Sequence, residues 1–118
     1  MNVLGVHHVS IEVDDLQAAK PFYLEAMGFT ALPRPDFGFA GLWLSVGDGE
    51  LHIVEVPRPI AEGGHHFAVH VADLDDAMAT LRGHGVKVDD FPATAGAGRQ
   101  AFLHDPAGNL IELNQPVS

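Results

Sequence analysis

The chain has no cysteine, which removes disulfides, thiolate nucleophiles and Cys-type zinc sites together. Bases are scarce as well: six Lys and Arg face 16 Asp and Glu, for a net charge of −10. Such a balance argues against nucleic acid or an anionic membrane as partner, and suits a metal, a cationic ligand or simple solubility. No apolar run approaches the roughly 20 residues of a membrane span. The start, Met1 to His8, lacks the basic and apolar stretches of a signal peptide. A cytoplasmic location is therefore expected. At 118 residues and 47% hydrophobic content, one folded domain is expected.

What the chain has in excess is histidine, eight in all, including the doublets His7-His8 and His65-His66. The doublets open a repeat. Gly5-Val-His-His-Val-Ser-Ile-Glu-Val-Asp-Asp-Leu16 resembles Gly63-Gly-His-His-Phe-Ala-Val-His-Val-Ala-Asp-Leu74 at a shift of 58. The closing stretches, Ile53 to Pro59 and Leu110 to Pro116, align at a shift of 57. Two modules follow, 1–59 and 63–118, parting near Pro59-Ile-Ala-Glu-Gly-Gly64.

Each module reads as strand, helix, three strands. Val6 to Val13 alternates, with Val9, Ile11 and Val13 on one face and His8, Ser10 and Glu12 on the other. Asp14 or Asp15 caps a helix whose apolar stripe is Leu16, Ala19, Tyr23 and Met27, ending at Gly28. Pro21 should kink that helix or mark its true start. Phe29 to Leu32, Gly41 to Val46 and Glu50 to Val56 complete module one, with a hairpin at Gly47-Asp-Gly49. In module two, His65 to Val71 is followed by a helix capped by Asp73, then Val86 to Asp89, Gln100 to His104 and Asn109 to Asn114. Pro92 to Gly98 reads as a mobile, lid-like loop. Asp105-Pro-Ala-Gly-Asn109 is a tight turn that delivers Glu112 into the aliphatic strand Leu110-Ile-Glu-Leu113.

A carboxylate among aliphatics either meets solvent or meets a cation or proton donor. Alternation puts His8 and His66 on the faces away from the helices. Aligning the closing strands at 57 gives Glu55 and Glu112 matching places on those faces, with Val54, Val56, Ile111 and Leu113 on the core side. Two imidazoles and two carboxylates suit a divalent transition metal with open positions. A lone strand His or Glu is commonly a satisfied or solvent-facing residue; recurrence at matching repeat positions makes these four candidates. Packing remains the other explanation of their recurrence. His52 should face the helix, and becomes the substitute ligand if the register is off by one. His70 lies toward the His66 side, while His7 and His65 should point away.

His-His-Val-Ser-Ile11, Phe22-Tyr23, Met27-Gly-Phe29, Leu51-His-Ile-Val-Glu55, His66-Phe-Ala-Val69 and Asp105-Pro-Ala-Gly-Asn-Leu-Ile-Glu112 together resemble the vicinal oxygen chelate superfamily, which includes glyoxalase I, methylmalonyl-CoA epimerase, extradiol dioxygenases, fosfomycin-resistance enzymes and bleomycin-binding proteins. The resemblance implies an α+β fold in which two βαβββ modules form a curved mixed sheet, a half-barrel around a central cavity. It implies a divalent ion (Ni, Zn, Co, Mn or Fe) held by His8, Glu55, His66 and Glu112. It implies isomerase or lyase chemistry on a small metal-chelating oxygenated substrate, with Glu112 or Glu55 as general base, in a homodimer. Substrate contacts would fall to Arg34, Phe39, Trp43, Arg99 and His70. The positions that serve glutathione in bacterial glyoxalase I are Glu12 and Pro59 here, which argues against that thiol. The alternatives are an extradiol-type dioxygenase using His8, His66 and Glu112, or a non-catalytic drug-binding protein like those of bleomycin resistance.

Overall fold

The structure is a computed structural model that describes residues 1–61 and 63–117, without the side chains of Ala93 and Thr94. Glu62, within the expected parting of the modules, lies outside the described residues. The chain divides into two compact units, Met1–Ile60 and Ala61–Ser118.

In the first unit, β1 (His8–Val13) leads to α1 (Leu16–Pro21), then to β2 (Thr30–Leu32), β3 (Gly41–Val46) and β4 (Gly49–Glu55). The strands form one sheet in the order β1-β4-β3-β2, with β1 parallel to β4 and the other pairs antiparallel. Asp15, not Asp14, caps α1, accepting from the backbone N–H of Gln17 and Ala18. Pro21 neither starts nor simply kinks the helix. It ends the α-helical turns, and Phe22–Ala26 continues as a π-helical segment closed by Met27 N–H to Phe22 O at 2.9 Å. Proline offers no N–H to the carbonyl four residues back and its ring crowds that carbonyl; widening the next turn is one way to relieve both. The buried stripe consequently becomes Leu16, Ala19, Phe22, Tyr23 and Ala26, and Met27 is only half-buried. These side chains join Val13, Leu44, Leu51 and Ile53 in the core. Each large one contributes roughly 1.5–3 kcal/mol by leaving water. The β3–β4 hairpin turns through Gly47 at φ 55°, which only glycine adopts without strain.

The second unit repeats the plan with β5 (His66–His70), α2 (Leu74–Gly83), β6 (Asp89–Thr94), β7 (Gly98–His104) and β8 (Leu110–Gln115), in the sheet order β5-β8-β7-β6. Leu74, Met78 and Leu81 of α2 are buried along with Ala101, Leu103, Ile111 and Leu113 of the sheet. Asp73 caps α2 through Asp76 N–H. The expected lid is instead a hairpin. Thr94 pairs with Gly98, and an irregularity between Phe91 and Thr94 accommodates Pro92. The turn before β8 is built on Asp105, only 4% exposed, which accepts from Ala107 and Asn109 N–H on one oxygen and from the Asn109 amide on the other. That turn fixes where β8 begins, and so where Glu112 points.

Strand pairing corrects one expectation of face. In the first unit His8 pairs with Glu50, Ser10 with His52 and Val13 with Glu55. In the second His66 pairs with Leu110 and Ala68 with Glu112. Ser10 matches Ala68, so the residue of β4 that matches Glu112 is His52, not Glu55. The closing strands correspond at a shift of 60 rather than 57. An odd slip moves every side chain to the opposite face. Ile111 and Leu113 are core residues as expected, whereas in the first unit Leu51 and Ile53 are core and Val54 is not.

Candidate functional site

Glu55 therefore lies on the helix side of its sheet. Its Oε2 accepts the Leu16 N–H, the first of α1, at 2.7 Å. Gln115 performs the same task for α2, its Oε1 accepting the Leu74 N–H at 2.8 Å. Both satisfy a helix N–H that has no partner within the helix. As a metal ligand or general base Glu55 is out of place: its carboxylate is already used at the helix terminus, on the wrong face.

In the second unit, His66 and Glu112 share the face away from α2. Glu112 is 7% exposed, with Oε1 3.1 Å from His66 Nε2. Its Oε2 accepts the amides of Gln100 at 3.1 Å and Asn114 at 2.9 Å. Burial pushes the Glu112 carboxyl up, but the hydrogen bonds from Asn114, Gln100 and His66 hold it below the usual range. His66 Nδ1 lies 2.8 Å from the Gly64 carbonyl, which can only accept. The proton of a neutral ring is thus fixed on Nδ1, and Nε2 presents its lone pair to a carboxylate oxygen. Two acceptors at that separation need a cation between them: a second imidazole proton or a metal. The Gly64 hydrogen bond and Glu112 both raise the His66 pKa, against the opposing effect of burial. Phe102, which pairs with Glu112, sets its ring edge-on to His66 at 5.7 Å, and His70 lies farther along the same face beside Asn114.

The first unit presents a related group on the corresponding face. His52 Nε2 lies 2.9 Å from Glu50 Oε1, and the His8 ring stacks on His52 at 3.9 Å. Trp43 pairs with His52 and stacks on its other side at 4.2 Å, so it borders this face and is not core. Phe37 joins Trp43 at 5.9 Å and Phe39 at 5.7 Å. Arg34 sits over both phenylalanines, 5.0 and 5.1 Å from their centroids, and donates to the Phe39 carbonyl. His7, expected to point away, has Nδ1 2.9 Å from His8 Nδ1. Arg99 is not on such a face. It pairs with Asp75 of α2 at 3.0 Å and Asp90 of β6 at 3.7 Å, and Gln100 takes the place expected of it. Glu12 is neutralised by Arg58, whose Nη2 meets both carboxylate oxygens at 2.9 and 3.0 Å.

The donor types fit a borderline divalent metal, and the facing acceptors of His66 and Glu112 give such an ion a reason to bind. Among the described residues no group of three or more His, Asp or Glu is arranged to hold one. Sequence reasoning held His52 only as a substitute ligand and did not single out Glu50 or Phe102. Their signal was the strand parity itself: each follows once β4 and β8 are aligned on their helix-capping residues.

The model of the Glyoxalase/Bleomycin resistance protein/Dioxygenase superfamily matches residues 5–113. The chain belongs to this superfamily. Among curated relatives, bovine (Bos taurus) mitochondrial methylmalonyl-CoA epimerase is 29% identical over 132 aligned positions, covering 97% of this chain and 75% of the relative. Among solved structures, a Bacillus anthracis protein of the glyoxalase family superposes with TM-score 0.89 at 26% identity, covering 99% and 98% of the two chains. TnmS3, an antibiotic binding protein from Streptomyces sp. CB03234, gives TM-score 0.83 at 34% identity, covering 99% of each chain. The paired βαβββ modules are thus the α+β vicinal oxygen chelate fold.

Proposed function

We propose that this superfamily member is a divalent-metal-dependent enzyme that moves a proton at a carbon beside a carbonyl, in the manner of an isomerase, epimerase or lyase. The observation that carries the reading is the contact of His66 Nε2 with Glu112 Oε1, two lone-pair donors held face to face by Gly64, Gln100 and Asn114. His66 and Glu112 are the proposed ligands, and His8 and His52 are a separate pair of candidate donors on the corresponding face of the first module. A bound divalent ion would stabilise negative charge developing on a substrate oxygen.

The remaining work falls to side chains. Glu112, its carboxylate held by the Gln100 and Asn114 amides, is suited to staying ionised and fixed. Glu50 is the better base. It lies on the same face as His8 and His52, with a part-exposed carboxylate 2.9 Å from His52 Nε2 that can reach a substrate proton, although the His52 hydrogen bond lowers its pKa and with it its basicity. The neutralised Glu12 does not repel an anionic substrate, so thiol conjugates and coenzyme A thioesters both remain candidates. The superfamily relationship and the exposed apolar residues Met1, Val3, Leu4 and Val6 support a homodimer, and the lack of cysteine is compatible with the cytoplasm.

Metal analysis of purified protein, with calorimetric titration of Ni²⁺, Zn²⁺, Co²⁺ and Mn²⁺, tests the reading. Stoichiometric binding is expected, weakened at least tenfold in Glu112→Ala and unchanged in Glu55→Ala. Exchange of substrate C–H for deuterium in heavy water, with methylmalonyl-CoA and with methylglyoxal plus glutathione as probes, tests the chemistry. Glu50→Gln should reduce that exchange without loss of metal. No metal uptake would end the enzyme proposal and favour a non-catalytic binding protein, for which the likeness to an antibiotic binding protein is the supporting observation.

A further inference from the structure

The rings of the first unit form a continuous series: Phe39, Phe37, Trp43, His52 and His8, each within 5.9 Å of the next. Metal binding and proton transfer need only the histidine end. The far end, Phe37 and Phe39, is half exposed, at 50% and 51%, and the two stacked rings make one contiguous apolar patch, the kind of surface that marks a binding site. Arg34 accompanies it. Its guanidinium lies over both phenylalanine rings, and Gly41 makes room for it, since a Cβ there would strike the Arg34 guanidinium and the Ile53 carbonyl.

Among the described residues Arg34 has no acidic partner. Arg58 is paired with Glu12 and Arg99 with Asp75 and Asp90, while no carboxylate among the described residues lies within ion-pair distance of Arg34. The nearby Asp36 accepts from Gly38 N–H. Arg34 donates from Nη1 to the Phe39 carbonyl, while its Nε is buried without a hydrogen-bond partner, so its donors are only partly used. In a chain with 16 acids and six bases, a half-buried arginine left unpaired between exposed aromatic faces is charge-complementary to an incoming anion.

We propose that Arg34, Phe37, Phe39 and Trp43 bind a flat aromatic anion, its rings laid against the phenylalanines and its acidic group turned to Arg34. This names a class of substrate for the face described above, and so rests on the reading of that face as the substrate side. Trp43 is the sole tryptophan, which makes it the reporter.

The test titrates 2-naphthoate, 2-naphthamide and cyclohexanecarboxylate, following Trp43 emission and heat, with both EDTA-treated and Zn²⁺-loaded protein. Saturable binding of 2-naphthoate is expected, with the other two weaker by about tenfold, the order of one charged hydrogen bond or one stacking contact. Arg34→Met should abolish the preference for naphthoate over naphthamide, and Arg34→Lys should restore part of it. Zn²⁺ affinity should be unchanged in both variants, and unchanged far-UV circular dichroism confirms that they fold. Equal binding of all three probes would overturn the proposal. So would naphthoate binding that vanishes with metal removal but ignores Arg34→Met, which would assign the carboxylate to the metal. Failure here with intact Zn²⁺ uptake sinks the aromatic anion alone and leaves the metal-dependent reading standing.

Discussion

Single hydrogen bonds decide the roles of the acidic residues. Glu112 and Glu55 are both carboxylates in apolar strands near a module's end, and sequence alone does not separate them. One receives an imidazole and two amides on the face away from its helix; the other receives the first N–H of α1. The same bonds set the pH response of the metal-free protein. Glu112 is held below its ordinary pKa, so its contribution to stability is present above the unfolded value and lost as pH falls through the lowered one. His66 is raised, so its contribution is present below the unfolded value and lost as pH rises through the raised one. Thermal midpoints measured in EDTA should therefore be highest between those two pKa values and fall on both sides. His66→Gln should remove the His66-dependent part of the fall on the alkaline side. An alkaline limb unchanged in that variant would mean that the His66–Glu112 contact carries no charge in solution.

At the scale of elements, the helix and strand plan was legible because each module carries period-two alternation followed by a capped apolar stripe. The Asp15 and Asp73 caps, the Gly47 and Asp105 turns and most of the strands follow local rules; the exception is β6, expected at Val86 to Asp89 but formed by Asp89–Thr94, where Pro92 and the following glycines suggested a loop. What was not legible is register, a non-local property. The motifs Ile53-Val-Glu55 and Leu110-Ile-Glu112 look alike, and their likeness suggested a shift of 57. The pairing of β4 with β1, and of β8 with β5, answers instead to which residue reaches the helix N–H. Glu55 and Gln115 are the true counterparts, and neither resembles the other in charge. Removing either should act on its helix as loss of a cap does, costing roughly 0.5–2 kcal/mol. Glu55→Ala and Gln115→Ala should thus lower the urea midpoint comparably. A destabilisation of Glu55→Ala reversed by added Zn²⁺ more than in wild type would contradict the capping role. Arg99 and Gln100 were both candidates for following the glycine-rich stretch; strand alternation separates them, so that Gln100 meets Glu112 while Arg99 pairs with Asp75 of α2.

The whole molecule combines a duplicated fold with unequal halves. The second module joins His66 to Glu112; the first joins His52 to Glu50 and stacks His8 and Trp43 on the same imidazole. Duplication made the fold recognisable, and divergence between the halves hid the register of the closing strands. At a net charge of −10, any divalent cation stabilises the chain somewhat by screening its self-repulsion, so a rise in melting temperature with metal is not in itself a sign of a site. Ligand chemistry separates the two effects. Calcium screens as well as zinc does but prefers oxygen ligands, whereas imidazoles favour zinc, nickel and cobalt. At 100 times its dissociation constant, a metal bound only by the native state adds about 2.7 kcal/mol. For a chain of this size, that is on the order of 10 °C in the melting temperature. Zn²⁺ and Ni²⁺ should give that saturable rise and Ca²⁺ at equal ionic strength a small, unsaturated one. The difference should disappear in Glu112→Ala but persist in Glu55→Ala. If His52→Ala keeps the full zinc-specific rise while Glu112→Ala loses it, then the second module alone holds the metal and the first belongs wholly to the substrate.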